Sequence, residues 1–174
     1  MKTAFRALTL TLICAVAGLT TSCVSSTQSA AMSPRDLDAR RSTHKPVQVT
    51  VAGGSIITPI GGPGITNEGF QQALQHSLIE SGLFTRTGGG GYELTAYIAG
   101  IEQPAMGFSM RVNLEVSYTL RRHGSVIWKK SIRTSYVAPV GEAFAGTVRL
   151  RKATEGAARE NITALVRSMD KARF

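Results

Sequence analysis

The residues able to do chemistry are few, and their spacing does not gather them. Cysteine occurs twice, as Cys14 and Cys23, and histidine three times, as His44, His76 and His123. None of these histidines stands at a metal-ligand spacing from another histidine, a cysteine or an acid. No Gly-x-Ser-x-Gly elbow is present. The stretch "GGPGITNEG" precedes a helical pattern as a phosphate-cradling loop would, yet the third glycine of Gly-x-Gly-x-x-Gly would have to stand where Asn67 does. The "GGGG" run at 88–91 follows a helical pattern and lacks the Lys-Ser/Thr partner. Both read as turns. No catalytic residue, metal or dissociable cofactor is therefore expected. Asn161-Ile162-Thr163 has the form of a glycosylation acceptor, but it lies within a helical pattern.

Cys23 is the exception, because of where it stands. Lys2 and Arg6 precede a largely apolar run from Ala7 to Leu19, followed by small polar residues and then Cys23. A run of this length is too short for a hydrocarbon core that needs ~20 residues, so it reads as an export signal over residues 1–22 and not as a permanent span. Two processing readings follow. Ala15-Val16-Ala17 offers an ordinary cleavage site before Gly18, which would leave Cys23 as a free thiol. Alternatively, Leu19-Thr20-Thr21-Ser22-Cys23 resembles the bacterial lipoprotein signal, with small residues before the cysteine and its aliphatic residue one place further back than usual. An exported chain with one leftover cysteine must pair it between chains, leave it reactive or consume it chemically. Acylation consumes it. The resemblance implies a covalent diacylglycerol and acyl chain on Cys23, and Val24 in place of an aspartate resembles the pattern of lipoproteins sent to the outer membrane.

Once the leader is removed no cysteine pair remains, so stability must come from a packed core. About 130 residues remain beyond signal and tether, enough for one domain. The formal charge of +9 falls to +7 without Lys2 and Arg6. Export argues against nucleic acid as the matching anion. Phospholipid head groups, anionic envelope polymers or an acidic protein remain, beside the plain reading of a solvated basic surface.

The elements follow from periodicity. Residues 23–45 are rich in Ser, Thr, Ala and charge, lack an apolar period, and are expected to form the lipid anchor and a flexible tether of ~25 Å mean span. The domain is expected over 46–174. Val47, Val49 and Val51 alternate with polar residues as a half-buried strand does. A loop or irregular hairpin follows around Ile56 and Ile57. Phe70, Ala73, Leu74, Ser77 and Leu78 mark a helix, capped by Thr66 or Asn67 and ended by Gly82. Period two returns in "YELTAYIAGI", in "SMRVNLEVSYTLRR" and in "SVIWKKSIRTSY". Register between the last two is set by burial. A three-residue loop of Arg122, His123 and Gly124 would pair Leu120 with Val126, Tyr118 with Trp128 and Leu114 with Ile132, with Gly124 left-handed. Lys130 then falls on the apolar side and must snorkel or lie near an edge. A last helix over about 147–171 carries Ala158, Ile162, Leu165, Val166 and Met169 on one stripe. The expected fold is α+β, a two-layer sandwich of a mostly antiparallel sheet of about four strands with two helices on one face, in the order β-α-β-β-β-α.

Such a sandwich leaves the other sheet face in solvent. It would carry Arg111, Arg121, Lys129 and Arg133, with Tyr97 and Ile127 for apolar contact, and the four cations with Tyr97 form the candidate partner-binding surface. The same pattern also describes an ordinary solvated face, with Glu115 balancing Lys129 and Arg133.

The run "FQQALQHSLIESGLF", followed by "YELTAYI" and "YTLRRHGSVIWKKSI", is similar to the YajG-like lipoproteins of proteobacteria. More distantly, the element order resembles the lipopolysaccharide-assembly lipoprotein and the lipoprotein activators of peptidoglycan synthases. The resemblance implies a non-enzymatic envelope role. The expectation is a lipoprotein on the periplasmic face of the outer membrane, held by lipid through Cys23, that binds an envelope protein or anionic polymer and no nucleic acid. A periplasmic small-ligand-binding protein, anchored or soluble, is the alternative.

Overall fold

The computed structural model describes residues 27–104, 110–143 and 145–172. The expected export signal and Cys23 lie outside the described residues. The elements run α1 (Ser29–Met32), β1 (Val47–Ala52), α2 (Asn67–Glu80), β2 (Tyr92–Glu102), β3 (Met110–Arg122), β4 (Ser125–Ala138), a 3-10 turn (Val140–Glu142) and α3 (Gly146–Lys171). One sheet in the order β1-β2-β3-β4 has β1 parallel to β2 and the other two pairings antiparallel. The parallel pair follows from α2, because a parallel neighbour needs a crossover long enough to hold a helix. The architecture is the expected α+β sandwich, with one helix added at the front.

α2 starts where its cap allows. The Thr66 side chain accepts a hydrogen bond from the Gly69 amide at 3.0 Å, and Gly82 takes φ +74° just past the end. Phe70, Ala73, Leu74, Ser77 and Leu78 are buried, with Ser77 satisfying itself by donating to the Ala73 carbonyl. α3 lays Ala153, Ala157, Ala158, Ile162, Leu165, Val166 and Met169 into the same core as the inward rows Val47-Val49-Val51, Leu94-Ala96-Ile98 and Val112-Leu114-Val116-Tyr118-Leu120. The small residues of α3 let it lie close to the sheet. Gly156 marks the tightest point, since a Cβ there would stand 2.4 Å from the Tyr136 ring.

The β3–β4 hairpin corrects the expected register while keeping its faces. The turn is two residues, His123 and Gly124 at φ +51° and +78°, closed by Arg122 opposite Ser125. That register alone would have turned the apolar rows outward. A bulge at Ile127 restores them, placing Leu120 opposite Trp128, Tyr118 opposite Lys130 and Leu114 opposite Thr134. Gly124 is left-handed as expected, and Lys130 escapes the apolar side by donating to Ser168 Oγ on α3 at 2.8 Å.

The second correction concerns residues 27–45, expected as a free tether. Met32 is fully buried in the core, and α1 sits against both α2 and α3. The Gln28 amide donates to Glu155, the Arg159 guanidinium to the Ala31 carbonyl, the Ala39 amide to the Ser81 carbonyl and the Arg41 amide to Asp170. One fully buried methionine, the partly buried Leu37 and Ala39, and a series of backbone hydrogen bonds hold this polar stretch, and none of them leaves a periodic mark in the sequence.

Candidate functional site

The alternation of β2, β3 and β4 that fills the core also sets the outward row. Tyr97, Arg111, Lys129 and Arg133 are exposed on the outer sheet face and Arg121 is half-exposed. All five candidate residues thus lie on one surface, but their electrostatic situations differ.

Toward the β2 C-terminus the charges cancel. Arg133 makes a 2.6 Å ion pair with Glu102, whose other carboxylate oxygen accepts from Asn113 at 3.0 Å. The hydrogen bond from Asn113, then the bond and charge of Arg133, hold the Glu102 carboxyl below its ordinary range. Glu115 lies opposite Arg133 in register but accepts from Ser131 at 2.9 Å. Arg111 donates to Ser135 Oγ at 3.3 Å. The expected balancing of Arg133 by Glu115 is therefore replaced by a partner two strands away.

Toward the β3–β4 turn, Lys129 faces Thr119 and Arg121 faces Glu93 across the ladder. Neither Lys129 nor Arg121 forms an ion pair among the described residues. Tyr97 stands between the two zones at 54% exposure, with its ring over Gly53, where a Cβ would come within 3.1 Å of it. Toward the turn, the outer face thus offers two cations without an ion pair among the described residues and one aromatic ring above a ladder of hydroxyls, Thr95, Thr119, Ser117 and Ser131. Such a surface can take a carboxylate- or phosphate-bearing partner.

The three histidines lie on the surface, and among the described residues no group of three His, Cys, Asp or Glu could hold a metal ion. The glycines of "GGPGITNEG" serve the chain itself: a Cβ on Gly64 would meet the Ser55 carbonyl oxygen. Thr58 and Pro63 of that hairpin are tied by Gln103, which also donates to Thr154 of α3 at 2.8 Å. Gln103 was not visible as a hub because its partners lie 40 and 45 residues before it and 51 residues after it in the chain.

A second feature that sequence reasoning missed is an open cleft of about 610 Å³ between residues 30–37 and the α3 side chains Arg159, Glu160, Thr163 and Arg167. Its two walls are more than a hundred residues apart in the chain, and it exists only because α1 docks. Among the described residues no helix is long and apolar enough to cross a membrane.

Comparison with known proteins gives the fold a relative. No family model matches the chain, and no curated protein matches it. Among solved structures, the chain is similar to protein XCC0632 from Xanthomonas campestris, of the family model DUF330, with a TM-score of 0.57 and 13% identity over 77% of this chain and 87% of that one. It is also similar to the PelC dodecamer from Paraburkholderia phytofirmans (TM-score 0.49, 17% identity, 82% and 95% covered). A minor lipoprotein from Acinetobacter baumannii gives a TM-score of 0.42 at 11% identity, with 75% and 91% covered. At 13% identity the Xanthomonas likeness shows a shared fold and carries no activity with it.

Proposed function

We propose that the protein is a cell-envelope lipoprotein, held by acylated Cys23 on the periplasmic face of the outer membrane, whose domain binds a protein or anionic envelope polymer as a non-enzymatic assembly or accessory factor. The observation that carries the binding half is the outer sheet face, where Arg121 and Lys129 lack ion-pair partners among the described residues and Tyr97 stands exposed between charge zones. The anchor half rests on the export signal and the place of Cys23.

The alternative, a small-ligand-binding protein, calls for an apolar pocket between the sheet and the Gly-rich loops. Fully buried Val47, Ile65, Phe70 and Leu74 fill that region, and the cleft beside α1 is polar and open. This favours a partner held on the surface.

The test has two arms. Cys23→Ser should move the protein from the membrane fraction to the soluble periplasm. Arg121→Glu with Lys129→Glu should reduce co-sedimentation with purified peptidoglycan sacculi, or crosslinking to envelope proteins in cells, with unchanged thermal melting. Arg133→Glu should do less, because that cation already has Glu102. Undiminished sedimentation and crosslinking in the double reversal would exclude this face as the binding site.

A further inference from the structure

Thr27 is buried, and its hydroxyl donates to the Gly64 carbonyl at 3.0 Å. Cys23 stands four residues earlier in the sequence. Four residues reach at most about 14 Å, so an anchor at Cys23 brings the membrane to the end of the domain where Thr27 docks.

The topology collects particular side chains at that end. β1 and β2 finish there, β3 begins there, and Ala138 at the end of β4 pairs with Met110. Among the described residues, the 53–66 hairpin and the Val140–Glu142 turn project at this end, and the start of α3 follows that turn and meets the hairpin where Leu150 lies against Gly62. Seven large apolar side chains are exposed among the described residues, and four of them are here: Ile56 (59%), Ile57, Ile60 (52%) and Val140 (60%). Singly exposed apolar residues need no explanation, but a cluster on one end does. The hairpin that carries three of them is firmly held. Ile57 pairs with Pro63, the Thr58 amide donates to the Gly62 carbonyl, Gln103 ties it to α3, and Leu150 packs over Gly62. Ile56, Ile57 and Ile60 are thus presented outward on a fixed support, while Ile65 of the same hairpin is buried in the core. Arg149, Arg151 and Lys152 flank Leu150 in the first two turns of α3, each half-buried, with Arg151 3.9 Å from Glu155.

We propose that this end of the domain seats on the anionic phospholipid surface that holds Cys23, with Ile56, Ile57, Ile60 and Val140 entering the headgroup region and the basic start of α3 meeting the lipid phosphates. The proposal builds on the anchor reading above. Apolar insertion combined with basic residues near an anionic surface is the second signal that makes attachment durable and oriented. The domain then stands upright, with the β3–β4 turn pointing away from the bilayer.

The chain's single tryptophan makes the orientation measurable. Trp128 pairs with Leu120, ten residues along β3 from Met110 and so about 33 Å from the seated end. The acylated protein is placed on phosphatidylethanolamine–phosphatidylglycerol vesicles containing brominated lipid, and tryptophan emission is read after flotation. Trp128 should keep its emission. Ile60→Trp in a Trp128→Phe background should lose most of it, and Val140→Trp in that background provides a second probe should the first disturb the hairpin. Vesicles of phosphatidylcholine should quench either probe less; equal quenching would remove the basic start of α3 from the proposal. If the chain floats but both probes stay bright, or Trp128 is quenched as strongly, the seating is overturned and the anchor survives. A chain whose intact mass carries no acyl groups, yet which floats with quenched probes, overturns the anchor and keeps the seating. A chain that does not float overturns both.

Discussion

Tyr118 Oη donates a 2.7 Å hydrogen bond to Asn161 Oδ1, joining β3 to α3 at a point where both residues are fully buried. The Asn161 amide donates onward to the Ile132 carbonyl at 2.9 Å and to Thr134 Oγ1, whose hydroxyl donates to the Ala157 carbonyl. One polar chain thus pins α3 to β3 and β4. Removing one partner from such a buried pair leaves the other unsatisfied, at a cost of about 1–3 kcal/mol. Tyr118→Phe should lower stability by that amount in urea titration, and Asn161→Ala should cost more because three bonds are lost. A Tyr118→Phe change below ~0.5 kcal/mol would mean the pair adds little beyond packing.

Alkaline pH should act on the same residue. Burial pushes the Tyr118 phenol well above its ordinary value near 10. As pH rises past about 10, the unfolded chain releases this proton while the native state keeps it. The unfolded state then binds fewer protons, so stability falls from pH 10 upward and is unaffected by this group below it. Tyr118→Phe should flatten that decline. Parallel decline in both proteins would assign the alkaline loss to other groups.

Gly156→Ala should be destabilising, although alanine is ordinarily better in a helix by about 1 kcal/mol. The added methyl would lie 2.4–2.6 Å from ring atoms of Tyr136, which also faces the Arg159 guanidinium at 5.6 Å. Thermal melting should show a drop of several degrees. Combining it with Tyr136→Ala should recover part of the loss, and a stabilised Gly156→Ala single variant would contradict the close approach.

Met32→Ala should cost about 2–5 kcal/mol, the range for emptying a buried long side chain, because Met32 is fully enclosed in the core. Hydrogen exchange should also rise at Ala39 and Arg41, whose amides bond to Ser81 and Asp170. A variant as stable as the parent would return residues 27–45 to the status of a loose tether.

What was legible in the sequence was whatever repeats. Val112 through Leu120 alternate without a break, so β3, its inner row and its outer charges could be read together. The helix over Asn67–Glu80 carried both its stripe and its cap. In the hairpin, burial determined only which face each residue takes; registers that differ by two residues satisfy it equally, and the Ile127 bulge chose between them. Met32 was not legible, since one apolar residue in a Ser- and Ala-rich stretch has no period. Among the candidate site residues, position on the outer face could be read from alternation. Electrostatic state could not, because the Arg133 ion pair with Glu102 depends on how β2 and β4 align across β3.

The bonds from Gln28 to Glu155 and from Arg41 to Asp170 close loops of 127 and 129 residues. Contacts of such long range must meet their loop-closure entropy before they return any stabilisation, so they complete late in folding. The leading segment gains its bonds to Glu155, Arg159 and Asp170 only once the last helix is in place beneath it. A chain shortened within α3 would therefore lose order at its front as well as its rear, and completion of the fold is a single event that registers the presence of both ends.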